Sequence, residues 1–215
     1  KPAELRVGQQ NINFQQKILD TGDIIIVSKW IPLKNGQLHS LNMAQNNFIT
    51  AEAGQALANL LEQSTALTTL DISECCDEYL NDGVGFSEAF SKGLKSNTSL
   101  TSLNVSKNSL DDKIKNKSKT FSEMFMSMMW QGNALHYLTQ ALTNNTKIKT
   151  LNISNNNIAQ LGYNTKTFQM FLKTLETTRI SKLELSDDGA SIPERLQVLI
   201  DMILLRNRSR SPSRS

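Results

Sequence analysis

The chain has 215 residues, 39% of them apolar, and a formal net charge of +3. This length accommodates one domain with a sizeable core, and the sequence contains no run of 18 or more apolar residues that would predict a membrane-spanning helix. Residues 206–215 hold four arginines and no acid, which leaves 19 basic against 20 acidic residues elsewhere. The rest of the chain is therefore nearly neutral, and its charge does not support a general nucleic-acid-binding surface outside this tail.

The first 37 residues differ in pattern from the rest of the chain. Ile12 and Phe14 fall at even spacing, and the stretch Ile24-Ile-Ile-Val27 is β-branched and compact. Between them, Asp20-Thr-Gly-Asp23 has the composition of a turn. We therefore expect residues 1–37 to contain a β-hairpin that covers the open end of the following repeats, because an uncapped solenoid exposes its core.

From residue 38 onward, one nine-residue pattern recurs. Its fullest copy, Leu100-Thr-Ser-Leu-Asn-Val-Ser-Lys-Asn108, reads L-x-x-L-x-L-x-x-N, in which three apolar residues point inward and Asn108 turns the chain. Four further copies run from Leu38 to Asn46, Leu67 to Cys75, Ile148 to Asn156 and Ile180 to Asp188. Between the copies, apolar residues at helical spacing predict one helix in each unit.

On these five copies, the chain resembles a leucine-rich repeat protein. Its long, helix-bearing units, such as residues 50–65, are similar to the ribonuclease-inhibitor subtype. The resemblance covers residues 38–205 and implies an α/β solenoid of about five repeats, with parallel strands on the concave face and helices on the convex face. Such solenoids present a long concave binding surface, so the resemblance also implies a non-catalytic protein–protein interaction module.

An insertion at about residues 111–133 separates the third repeat from the fourth. After a lysine-rich loop it holds large, soft side chains: Phe121, Met124, Phe125, Met128, Met129 and Trp130. Two interpretations stay open. The run packs as core against a neighbouring helix, or it forms an adaptable partner-binding surface in which Phe125, Met129 and Trp130 make the contacts.

Few residues in the sequence could carry catalysis. The only histidines, His39 and His136, lie about three repeats apart, and the only cysteines, Cys75 and Cys76, are adjacent. Neither pair supplies a nucleophile with its base and orienting group, nor the four ligands of a structural metal site. We expect no enzyme activity, no metal and no cofactor. Because adjacent cysteines rarely form a disulfide, we also expect a reducing compartment.

Strand residues between the inward-pointing ones should face solvent on the concave face. The central column there is Asn42, Asp71, Asn104, Asn152 and Glu184. We predict that this column binds a protein partner together with Glu74. With Asp187, its carboxylates would form a weakly acidic groove for a basic protein segment. The alternative is a solvated surface made uniform by repeat duplication, because the columns lack the Trp, Tyr and Arg residues of interface hot spots.

The asparagine-rich repeats of uneven length resemble those of effector proteins that intracellular bacterial pathogens deliver into host cells. This resemblance implies a eukaryotic host protein as the partner and the reducing host cytoplasm as the place of action. We expect a monomer without a membrane span, which binds nucleic acid only through a disordered tail at residues 206–215. Two alternatives stay open: an RNA-associated adaptor acting through that Arg/Ser tail, and the substrate-recognition arm of a larger enzyme such as a ubiquitin ligase.

Overall fold

Short parallel strands alternate with helices along the chain. The computed structural model describes residues 6–76, 82–108, 134–156, 158, 165–187 and 191–210. The strands are β1 (Asn11–Asn13), β2 (Ser40–Asn42), β3 (Thr69–Asp71), β4 (Ser102–Asn104), β5 (Thr150–Asn152) and β6 (Lys182–Glu184). The helices are α1 (Thr21–Lys34), α2 (Ala51–Gln63), α3 (Gly83–Ser96), α4 (Ala134–Asn144), α5 (Lys166–Thr177) and α6 (Glu194–Ser209). The strands form one sheet in the order β1 to β6, which confirms the predicted α/β solenoid.

The register of the sheet places equivalent residues of all units side by side. One row across the sheet consists of Ile12, Leu41, Leu70, Leu103, Leu151 and Leu183. Their side chains point into the layer between the sheet and the helices, where the leucines of β2 to β5 are at most 1% exposed. Because strand side chains alternate, the residues on either side of this row face the concave surface.

The predicted N-terminal β-hairpin is wrong. β1 pairs in parallel with β2, and Ile24 and Val27 lie in α1, where both are buried three residues apart, as on one helix face. The carboxylate of Asp20 caps the backbone N–H of Asp23, and the Asp23 carboxylate caps the Asp20 N–H in return. The presumed turn is therefore a capping box, and the segment adds a sixth strand–helix unit to the five predicted repeats.

A ladder of buried side chains joins the turns that follow the strands. The amide of Asn108 donates to the carbonyl oxygens of Ile72 at 2.7 Å and Val105 at 3.2 Å. Its side-chain oxygen accepts from the backbone N–H of Cys75 at 2.6 Å. The Cys75 thiol in turn lies 3.1 Å from the carbonyl oxygen of Met43. This contact confirms that cysteine can take the asparagine position of the repeat.

The residue before each of the ladder positions 46, 75, 108 and 156 adopts left-handed backbone geometry. Gln45, Glu74, Lys107 and Asn155 have φ angles between 54° and 60°. This conformation costs an ordinary residue about 1–2 kcal/mol, so the ladder hydrogen bonds hold each turn against its local preference. In the last repeat the Asp187 carboxylate accepts from the backbone N–H of Asn156 at 3.1 Å. The residue predicted for this ladder position, Asp188, lies outside the described residues.

The chain is helical at residues 206–209, where the sequence predicted the start of a disordered tail. Asn207 is fully buried and donates to the carbonyl oxygens of Leu175 and Ile180 at 2.9 and 2.8 Å. Three arginines also donate to backbone carbonyl oxygens: Arg206 and Arg210 to Glu176, and Arg208 to Ser181. The prediction is therefore wrong for residues 206–210, while residues 211–215 lie outside the described residues.

Two glycines bring α2 and α3 into direct backbone contact. A Cβ atom on Gly54 would lie 2.5 Å from the carbonyl oxygen of Phe86, and one on Gly93 would overlap the backbone of Ala58. Glycine permits such a close approach because it has no side chain. Any larger residue at either position would require the two helices to move apart.

Candidate functional site

The concave face carries columns of polar side chains in register. The central column consists of Asn42, Asp71, Asn104, Asn152 and Glu184, aligned by the strand pairing. Neighbouring strands lie about 4.8 Å apart, so the column extends about 19 Å from β2 to β6. The first four side chains are half-buried and the last is exposed. The structure thus brings together five of the six residues predicted for this face.

Hydrogen bonds within the protein already orient the central column. A side-chain oxygen accepts from the backbone N–H two residues later in four cases, at 2.9–3.1 Å: Asn42 from Ala44, Asp71 from Ser73, Asn104 from Ser106 and Asn152 from Ser154. Two amides also reach along the column, from Asn104 to Asp71 at 3.0 Å and from Asn152 to Glu184 at 2.7 Å. Each of these strands therefore ends in a side-chain turn that holds its polar groups in fixed directions.

Glu74, the sixth predicted residue, lies apart from that column in the left-handed turn after β3. Its carboxylate accepts from the Lys107 ammonium group at 2.6 Å and from the Gln45 amide at 2.9 Å. The Gln45 side chain also accepts from Gln15 at 2.6 Å, so a polar row crosses four turns. The hydrogen bond from Lys107, followed by that from Gln45, lowers the pKa of the Glu74 carboxyl group. Sequence reasoning missed this row, although Gln45, Glu74 and Lys107 all directly precede a ladder position.

The concave face is mixed in charge, which corrects the predicted acidic groove. Lys107 pairs with Glu74, and the Lys182 ammonium group lies 3.2 Å from the Glu184 carboxylate on β6. Asp71 is half-buried and already accepts from its neighbours. Two of the predicted acidic groups therefore have a lysine beside them. The surface offers donors and acceptors of both signs in place of a uniform acidic field.

No catalytic arrangement forms among the described residues. His39 is exposed directly before β2, whereas His136 lies on α4 and contacts Gln140. Burial raises the pKa of the Cys75 thiol to about 12, which keeps the sulfur protonated and a poor nucleophile. Within the parts of the chain that the structure describes, no group of three or more potential ligands could hold a metal ion. No helix there is long and apolar enough to cross a membrane.

The second predicted site belongs to the insertion at about residues 111–133. Its candidate contact residues, Phe125, Met129 and Trp130, lie outside the described residues. They stay a prediction from the sequence, and the experiment on the concave face must include them as a competing site.

Comparisons with known proteins agree with the repeat architecture. The family model described as Leucine Rich repeat matches residues 35–58, 96–114 and 144–162. Among solved structures, the chain is similar to leiomodin-1 actin-binding site 2, with a TM-score of 0.59 and 17% sequence identity. The match covers 87% of this chain and 90% of that chain, and at this identity it shows the fold alone. A search of curated proteins gives no significant match.

Proposed function

We propose that this leucine-rich repeat chain is a non-catalytic protein-binding module whose concave face contacts its partner. The proposal rests on the central column, in which polar side chains on five strands face solvent and are aligned by the strand register. Leucine-rich repeat proteins generally use such surfaces to bind proteins. The chemistry of the column decides what kind of partner surface fits.

The fixed geometry of the column lowers the cost of binding. Asn104 and Asn152 are held at both ends by hydrogen bonds within the protein. Contact with a partner therefore costs these two side chains little further conformational entropy. Because the column lacks large aromatic anchors, affinity must come from many polar contacts, which favours a modest and reversible complex. The mixed charge favours a partner surface that also alternates in sign.

We further propose that the chain acts as a bacterial effector on a eukaryotic host protein in the host cytoplasm. The support is the asparagine-rich sequence of uneven repeats, together with two cysteines that form no disulfide with each other. Adjacent cysteines that form no disulfide with each other are expected where thiols stay reduced. The RNA-adaptor alternative gains no support, because Arg206, Arg208 and Arg210 all bind backbone carbonyl oxygens of the body.

A pull-down from eukaryotic cytosol, with mass spectrometry, tests the concave face. The test variant is Thr69→Arg with Ser102→Arg, which places two long cations beside the central column without removing its hydrogen bonds. The matched control is Asn59→Arg with Gln63→Arg on the exposed surface of α2, which adds the same charge to the convex side. We expect a partner that the wild type and the control both capture and the test variant loses. Circular dichroism confirms that each variant is folded.

Two further samples separate the competing sites. A Phe125→Ser and Trp130→Ser variant tests the insertion, and a chain ending at Arg210 tests the last five residues. Capture lost only with the insertion variant would contradict the concave proposal. Purified actin is included as a candidate partner because of the fold likeness to leiomodin-1 actin-binding site 2. Equal capture by the wild type and the concave variant would also reject the proposal.

A further inference from the structure

In the part of the chain that the structure describes, β6 is the last strand of the sheet and leaves backbone groups unpaired. Lys182 and Glu184 bond to β5 through their backbones, the first to the carbonyl oxygen of Lys149 at 3.1 Å. In a parallel sheet the intervening residues direct their groups to the opposite side. The N–H and C=O of Leu183 and the N–H of Leu185 therefore face the open edge. Among the described residues, no hydrogen bond from outside the sheet reaches them.

The apolar core also ends incompletely at this edge. Leu183 is only partly buried, whereas the equivalent leucines of β2 to β5 are at most 1% exposed. A cavity of about 250 Å³ lies against β6, with Leu183, Ile192 and Ile200 on its apolar side and Glu184 and Gln197 among its polar lining residues. Within the described ranges, both the backbone and the apolar core at β6 thus lack a neighbouring unit.

The side of α6 next to this edge carries charges of both signs. Gln197 lines the cavity and donates to the Asp201 carboxylate at 3.0 Å. At the other end of β6, the Arg208 guanidinium group donates to the carbonyl oxygen of Ser181 at 3.1 Å. Residues 197, 201 and 208 are spaced to lie along one side of a helix. Gln197 thus lies near the end of β6 and Arg208 near its start, while Asp201 is on the same side of α6 between them in sequence.

These charges are self-complementary under a two-fold rotation. Lys182 and Glu184 lie on either side of the central Leu183, and their side chains are 64% and 48% exposed. Two copies of the same edge related by a two-fold axis run antiparallel, which places Lys182 of one copy opposite Glu184 of the other. The same rotation brings Asp201 of one copy toward Arg208 of the other. Opposite charges across a strand pair stabilise it, whereas like charges destabilise it.

We propose that β6 is a homodimer interface, at which two copies of this chain pair edge to edge in antiparallel orientation about Leu183. The pairing satisfies the open backbone groups and joins two six-stranded sheets into one of twelve strands. It also exchanges the Lys182–Glu184 pair within each of the two chains for two such pairs between them. The dimer replaces the monomer expected from the sequence, and it does not depend on what the concave face binds.

A charge-exchange experiment tests this interface by analytical ultracentrifugation over a range of concentrations. Lys182→Glu places four acidic groups at the contact, and Glu184→Lys places four basic ones. We expect each variant alone to dimerise at least tenfold more weakly than the wild type. An equimolar mixture of the two should recover wild-type association, because each then meets its opposite. Lys173→Glu on the exposed surface of α5 is the control and should not change association.

Amide hydrogen exchange of the wild type supplies a test that needs no variant. The amide protons of Leu183 and Leu185 should exchange more slowly as concentration rises, while the Ile12 amide at the opposite end of the sheet should not respond. A wild-type chain that stays monomeric at millimolar concentration overturns the proposal. So does a dimer in which the β6 amides exchange as fast as in the monomer, or one that both single variants form as well as the wild type.

Discussion

Replacing Asn108 with alanine is expected to destabilise the solenoid by several kilocalories per mole. The change leaves the buried N–H of Cys75 and the carbonyl oxygen of Ile72 without the side-chain partners they have in the native structure. The Val105 carbonyl oxygen keeps a second donor, the Asn156 amide at 3.0 Å, and is not counted. At about 1–3 kcal/mol for each buried group left unsatisfied, the loss is about 2–6 kcal/mol. Whole domains are stable by only about 5–15 kcal/mol.

Urea unfolding followed by circular dichroism measures this loss as a lower midpoint at an unchanged slope. The control is Asn59→Ala, which makes the same substitution on the exposed face of α2 and should change stability by less than about 0.5 kcal/mol. A free energy of unfolding for Asn108→Ala within about 0.5 kcal/mol of the wild-type value would contradict this prediction. It would mean that the ladder does not hold the strained turns in place.

The structure leads to three other expected results, two for substitutions and one for a chemical modification. Gly93→Ala should cost about 1–3 kcal/mol in thermal or urea unfolding, because its methyl group would overlap the Ala58 backbone; an unchanged midpoint would mean that α2 and α3 are not in contact. Cys75, whose pKa is raised to about 12, should resist a thiol reagent at neutral pH until the chain unfolds, as mass mapping of the modified peptide would show. The lowered pKa of Glu74 contributes stability that is present above the ordinary glutamate value and lost as the pH falls through the folded value. Lys107→Met should raise that pKa in an NMR titration, and no change would show that the ion pair does not form in solution.

The sequence predicted the repeat strands well because their pattern is local. Nine residues contain both the inward-pointing leucines and the ladder position, so β2 to β6 lie where the pattern placed them. Even the cysteine at position 75 could be assigned, since the frame fixes its place. The hydrogen bond from Asn156 to Asp187 was not predicted, because the pattern assigns the ladder position to the next residue, 188.

The N-terminal unit and the end of α6 were missed for different reasons. Short polar residues such as Asp20 favour both turns and helix N-caps, and Lys17 stands where the pattern calls for asparagine. At the other end, the composition of residues 206–210 is that of a disordered tail. Their order depends on Asn207 finding carbonyl oxygens 27 and 32 residues earlier. Contacts at that sequence distance, like the Glu74–Lys107 pair, have no local signature.

The glycine contact between α2 and α3 has a consequence for the shape of the binding surface. A solenoid bends because packed helices are usually 8–10 Å apart while their strands are only about 4.8 Å apart, so each unit is a wedge. Gly54 and Gly93 let two helices come closer than side chains would normally allow, and the wedge between their units becomes thinner. The arc is therefore locally flattened beneath Asn42 and Asp71, and a partner with a flat surface would fit best over the β2–β3 part of the central column.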